Sequence, residues 1–120
     1  MPDEAPARLL TLDIDRAALL SGDIAVVSCH GKLVAGVTDI LYKEVSQLIP
    51  NTKRIVLDFT DLTHMDSMGL GTVVRLYVSA RTAGCELKLI NLGTRVRELL
   101  RISNLLSVFE NIEEFDIPIY

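Results

Sequence analysis

The chain has no tryptophan, 5% aromatic residues, two cysteines, two histidines and no run of basic side chains. Each shortage narrows what it can be. With so few rings and 49% hydrophobic residues, the core has to be assembled from Leu, Ile and Val. Cys29 and Cys85 show neither C-x-x-C spacing nor a histidine at metal-ligand spacing, which argues against a zinc site or a redox pair. Each stands in or beside an apolar run and reads as a buried free thiol. A net charge of −4 without a Lys/Arg cluster leaves no face to neutralise phosphates, so nucleic acid is not an expected partner. No apolar stretch approaches the roughly eighteen residues of a membrane span, and direct membrane insertion is not expected. The opening MPDEAPARLL is acidic and holds two prolines in six residues, unlike a signal peptide; a cytoplasmic location is expected. Repeats and low-complexity tracts are absent. At 120 residues the chain is one domain, long enough to bury about two-thirds of the surface of its extended form.

What is present centres on Arg54 to Arg81. Ile55, Val56, Leu57 and Phe59 suit a strand buried on both faces of a largely parallel sheet, and Thr60 to Met65 is expected to break it. From Leu70 the apolar positions Leu70, Val73, Val74, Tyr77 and Ala80 follow helical spacing. Between the two lies Asp66-Ser67-Met68-Gly69-Leu70-Gly71, a hydroxyl beside a carboxylate where the loop enters the helix. Ser67 is expected to cap that helix by accepting from Gly69 or Leu70, with its oxygen near the positive end of the helix. Gly69 and Gly71 each cost about 1 kcal/mol relative to alanine in a helix, which suggests that something needs close backbone approach or a slim surface. The plain alternative is a capped helix with two glycines fitted under a neighbouring loop.

Taken in order, residues 1–7 read as a flexible leader. Arg8 to Ile14 is a first strand, Asp15 to Ser21 wanders, and Ile24 to Cys29 forms a second strand antiparallel to the first. His30 to Gly36 follows as a loop in which His30 is an ordinary loop or strand-end residue. Val37, Ile40, Leu41, Val45 and Leu48 share a helical face that Pro50 ends, with Tyr42, Lys43 and Gln47 outside. The long helix should run to about Ala83 and be closed by Gly84, with Arg75 and Arg81 pointing away from its apolar face. Glu86 to Ile90 alternates like a strand at the sheet margin. Thr94 can cap a short helix carrying Val96, Leu99, Leu100 and Ile102, although Arg97 breaks the capping box. Asn104 suits a left-handed turn, Leu105 to Phe109 a last strand, and residues 111–120 a short tail.

Catalysis finds little support. Met65-Asp66-Ser67-Met68-Gly69 lacks the first glycine of a nucleophile elbow, and His64, although close to Ser67, has no spacing that marks it as a base. Gly69-Leu70-Gly71 lacks the third glycine of a dinucleotide fingerprint and the lysine of a phosphate loop. No catalytic residue, cofactor or metal is expected.

The stretch from Leu57 to Glu110 resembles the STAS domain of bacterial anti-sigma factor antagonists, most specifically in Asp61-Leu62, Met65-Asp66-Ser67 and Gly69-Leu70-Gly71. The resemblance runs over roughly residues 8 to 110. It implies an α/β fold: a single STAS-type domain with a mixed sheet of about five short strands and three to four helices mainly on one face. It also implies that Ser67, following the Asp, is the residue phosphorylated by a partner kinase. The expected function is that of an anti-sigma factor antagonist, monomeric or weakly dimeric. It captures an anti-sigma factor with serine kinase activity when Ser67 is unphosphorylated and lets go when it is phosphorylated. His64, Asp66, Met68, Gly69, Leu70, Lys32 and Val34 are the candidate partner-binding residues, with Met68, Leu70 and the glycines offering a slim apolar patch. The loop at Gly31 and Leu33 also matches the family, but Lys32 replaces its acid and Val34 its Asp, and Met68 stands where Ser or Thr is usual. These departures favour the alternative, a STAS scaffold or transporter-associated assembly module without phosphorylation.

Overall fold

Alternation in the first two strands and consecutively buried runs at residues 55–57 and 87–90 build the sheet, and three-and-four spacing builds the layer that covers it. The computed structural model describes residues 9–15 and 24–105. In chain order the elements are β1 (Leu10–Asp15), β2 (Ile24–Leu33), α1 (Thr38–Leu48), a 3-10 turn (Ile49–Asn51), β3 (Arg54–Met65), α2 (Ser67–Thr82), β4 (Glu86–Ile90) and α3 (Thr94–Ile102). The sheet order is β1-β2-β3-β4. β1 runs antiparallel to β2, while β2, β3 and β4 are mutually parallel. This is the mixed α/β sheet expected, with four strands rather than five among the described residues. Most of the fifth expected strand, residues 106–109, lies outside them, as do the leader, most of the wandering stretch and residues 111–120.

One face of each strand and the inner faces of all three helices share a single core: Ala25, Val27 and Cys29 from β2, Ile55, Leu57 and Phe59 from β3, Leu87 and Leu89 from β4, Leu41 and Val45 from α1, Val73 and Leu76 from α2, and Val96 and Leu100 from α3. Burying a side chain of this kind contributes about 1.5–3 kcal/mol. Both cysteines are free and buried. β4 stands at the sheet margin as expected. Gly84 (φ +79) and Asn104 (φ +63) hold the left-handed turns that follow α2 and α3.

The structure corrects several expectations. β2 continues to Leu33 and β3 through Thr60–Met65, because parallel pairing between them carries on to Leu33↔Met65 across two register shifts. The first part of the expected His30–Gly36 loop is therefore strand. Gly31 makes that possible: its φ is +105, and a Cβ there would lie 2.2 Å from the Leu9 carbonyl oxygen. Thr94 does not cap α3; Gly93 occupies the cap position with no side-chain bond. Tyr42 is half-buried against the core rather than outside, and the Arg75 guanidinium stacks 4.4 Å from its ring centroid, a cation–π contact that joins α1 to α2. Ile102, expected on the apolar face of α3, is 67% exposed. His30 ends up paired in the sheet, its Nδ1 3.0 Å from Asp61 Oδ2.

Candidate functional site

A single residue, Asp66, connects the end of β3 to the start of α2. Its backbone is extended (φ −108, ψ −174), the conformation that lets a side chain turn back on the first helical amides. Oδ1 accepts from the Gly69 amide at 2.9 Å, and Oδ2 accepts from the Ala35 amide, also at 2.9 Å. Asp66, not Ser67, is thus the N-cap, since Ser67 is already the first helical residue. Loss of water at the junction pushes the Asp66 carboxyl up, but the amides of Ala35, Gly69 and Met68 outweigh this and hold it below its usual value of 3.8.

Relieved of capping, Ser67 is exposed. Among the described residues its hydroxyl makes no hydrogen bond. It sits in the first turn of a sixteen-residue helix, where the amides and the helix dipole favour added negative charge by about 0.3–1 kcal/mol. Chemically the position offers a free alcohol with a fixed carboxylate next to it.

The other candidates divide by burial. Gly69 and Leu70 are buried, Leu70 with 7% of its surface exposed. A Cβ on Gly69 would lie 2.1 Å from the Leu33 carbonyl oxygen. The close approach inferred from the sequence is therefore real at Gly69, where α2 meets the end of β2. It is absent at Gly71, where an added Cβ meets nothing within 4 Å. The apolar patch expected from Met68, Leu70 and the glycines reduces to Met68, which is 58% exposed, because helical periodicity turns Leu70 into the core. Lys32 and His64 are exposed partners across the β2–β3 ladder, so their side chains emerge side by side. His64 Nδ1 is 3.0 Å from the Thr63 hydroxyl. Val34 is half-buried against the core.

Sequence reasoning missed the backbone contributors, the Ala35 amide and the Leu33 carbonyl, because neither has a side-chain signature. It also missed a groove of about 540 Å3 beside the junction, lined by His64, Met65, Thr94, Arg95, Glu98, Leu99 and Ile102. On the sheet face turned away from the helices, Asp58 Oδ1 accepts from the Thr60 amide, the Thr60 hydroxyl and Asn91. These bonds, with the nearby His30, lower its carboxyl against the opposing effect of burial. Among the described residues no group of three or more His, Cys, Asp or Glu side chains could hold a metal ion, and no helix is long and apolar enough to cross a membrane.

Comparison with solved structures finds the same fold in four of them. An anti-sigma factor antagonist from Mycobacterium paratuberculosis matches with a TM-score of 0.71 at 17% identity, over 83% of this chain and 82% of that one. The anti-sigma factor antagonist SpoIIAA in its unphosphorylated form matches with a TM-score of 0.67 at 21% identity, over 79% and 82%. The Bacillus cell fate determinant SpoIIAA in the phosphorylated form gives 0.65 at 19%, over 82% and 87%. A sulfate transporter family protein from Wolinella succinogenes gives 0.64 at 17%, over 72% and 70%. At these identities the likeness shows the fold. The STAS domain family model matches residues 16–116, most of the sequence, and with the sheet order and the Asp66–Ser67 junction in view the chain belongs to the STAS domain family.

Proposed function

We propose that the protein is an anti-sigma factor antagonist. In this reading it is a non-catalytic, phospho-switchable binding module in the cytoplasm, a monomer or weak dimer that captures an anti-sigma factor with serine kinase activity while Ser67 is unmodified. Phosphate on Ser67 ends the capture. The observation that carries this is the uncommitted, exposed Ser67 hydroxyl beside a carboxylate already bound at both oxygens. Because Asp66 does the capping, the serine can be modified without unfastening the helix. Phosphorylation adds about −1.5 to −2 charges and three acceptor oxygens. Repulsion from Asp66 is on the order of a few kcal/mol at an effective dielectric of about 20, less where water screens it, and the helix amides offset part of it. The domain tolerates the phosphate, whereas a partner surface fitted to a neutral hydroxyl loses about tenfold in affinity for each 1.4 kcal/mol. The likeness to SpoIIAA, whose structures include an unphosphorylated and a phosphorylated form, supports the reading.

The test is to incubate the protein with a co-encoded kinase and ATP and to locate phosphate by mass spectrometry. Label on Ser67 is expected, with capture retained in Ser67→Ala and weakened at least tenfold in Ser67→Asp. Equal affinities for the two variants would remove the electrostatic switch. The second reading, a STAS scaffold or transporter-associated module, draws on the sulfate transporter family likeness and on Lys32, Val34 and Met68. It predicts an unlabelled Ser67 and a partner held equally by both variants.

A further inference from the structure

α3 is amphipathic in two directions. Val96 and Leu100 face the core, whereas Arg95, Glu98, Leu99 and Ile102 succeed one another at helical spacing along the side that lines the groove with His64 and Met65. Ile102 is 67% exposed and takes no part in the core, so the groove holds apolar surface that the domain itself does not use. Positive charge collects at the rim although the chain as a whole carries −4. Arg95 is exposed and forms no ion pair among the described residues; the same holds for Lys32, whose strand partner is His64. The carboxylates of α3 and of this end of the sheet are already engaged: Glu98 by Arg101, Asp61 by His30, and Asp66 by the Ala35 and Gly69 amides.

We propose that the groove is a docking site for an acidic, amphipathic segment of a partner protein, its apolar side chains against Leu99 and Ile102 and its carboxylates toward Arg95 and Lys32. Two unpaired cations around an apolar floor match such a segment. A nucleic acid or an anionic membrane calls instead for a broad basic face, and the net negative charge of the chain repels both. Arg95 and Ile102 stand two helical turns apart, about 10 Å along the axis, so a short amphipathic helix laid in the groove reaches both. The rim charges speed its arrival, and the apolar contacts slow its departure. One residue separates Met65 from Ser67, so a protein seated on the serine continues onto the groove without a break. The inference rests on the preceding reading only for the identity of that protein; its charge preference is independent of phosphate.

Methyl NMR on the full chain carrying Ser67→Ala tests it. The probes are two synthetic helical peptides with leucines at the same spacing, one with glutamates between them and the other with lysines. The glutamate peptide is expected to shift the Met65 and Ile102 methyl signals at low salt, and the lysine peptide to leave them in place. Lys32→Glu together with Arg95→Glu should reverse that preference. Ile102→Ala should weaken the glutamate peptide by about tenfold, through the loss of one buried apolar contact, and leave the preference as it was. No shift with the glutamate peptide, or equal shifts with both, would overturn the proposal. So would an equal response to a single-stranded oligonucleotide or to phosphatidylglycerol vesicles, which would make the rim a general polyanion surface. Signals that move with protein concentration alone would overturn it too, since the occupant would then be a second copy. Because Ser67 is alanine throughout, failure here leaves the phosphate switch intact, and an unlabelled Ser67 in the kinase experiment leaves the groove intact.

Discussion

Where Leu33 of β2 lies beside Met65 of β3, the chain passes twice from strand to helix, over residues 34–37 in the first case and over Asp66 alone in the second. α1 begins after Val37, which offers no side-chain cap. α2 begins after a carboxylate that caps its own helix and also reaches across to the Ala35 amide in the first loop. One junction is self-sufficient and the other is held by its neighbour. The economy teaches why the serine is free: both loops are fixed by the residue before it.

The comparison can be broken most severely at Gly69. Gly69→Ala puts a methyl 2.1 Å from the Leu33 carbonyl oxygen and forces α2 off the end of β2, an overpacking cost of about 3 kcal/mol readable as a lowered urea midpoint. An unchanged midpoint would mean that the two junctions do not touch. Next comes Asp66→Asn, which keeps one acceptor oxygen but turns an amide donor toward the Ala35 N–H. A loss of about 1–2 kcal/mol at neutral pH is expected, with faster amide exchange in residues 34–37 as well as in the first turn of α2. Exchange confined to α2 would unlink the junctions. Because the carboxyl of Asp66 is held below 3.8 in the folded state, the unfolded chain binds the extra proton. The advantage of the wild type over Asp66→Asn is therefore complete above that pH and fades as pH falls through the folded value. Asp58 is shifted the same way, so the difference between the two proteins, not the wild-type curve alone, is the quantity to follow. The smallest effect sharpens the contrast within one helical turn: Gly71→Ala meets nothing within 4 Å and should raise stability by up to about 1 kcal/mol.

The sequence made the strand-to-helix switch at residues 54–81 legible because both periods are strong there: Ile55, Leu57 and Phe59 alternate, and Leu70, Val73 and Ala80 follow the helical face, and all of these are buried. Two things hid the rest. Long-range pairing extended β2 and β3 past Cys29 and Phe59, since a ladder already formed supplies hydrogen bonds to polar residues such as Thr60 and Lys32 that lack strand-like patterning of their own. The cap was misassigned by one residue because Asp and Ser both favour that position, and only the Ala35 amide, brought in from a distant loop, favours the carboxylate. Tyr42 was placed outside for a similar reason: the guanidinium that covers it comes from another helix.

Strand order along the sheet repeats strand order along the chain, and this has a bearing on how the molecule is born. Each new strand leaving the ribosome adds to the margin left by the one before it, so no completed ladder has to open to admit a latecomer. Synthesis supplies residues at about 5–20 per second, whereas a hairpin closes within about 10 microseconds. The β1–β2 ladder can therefore be finished long before β4 is translated, and a nascent chain arrested after β3 should already protect its β2 amides.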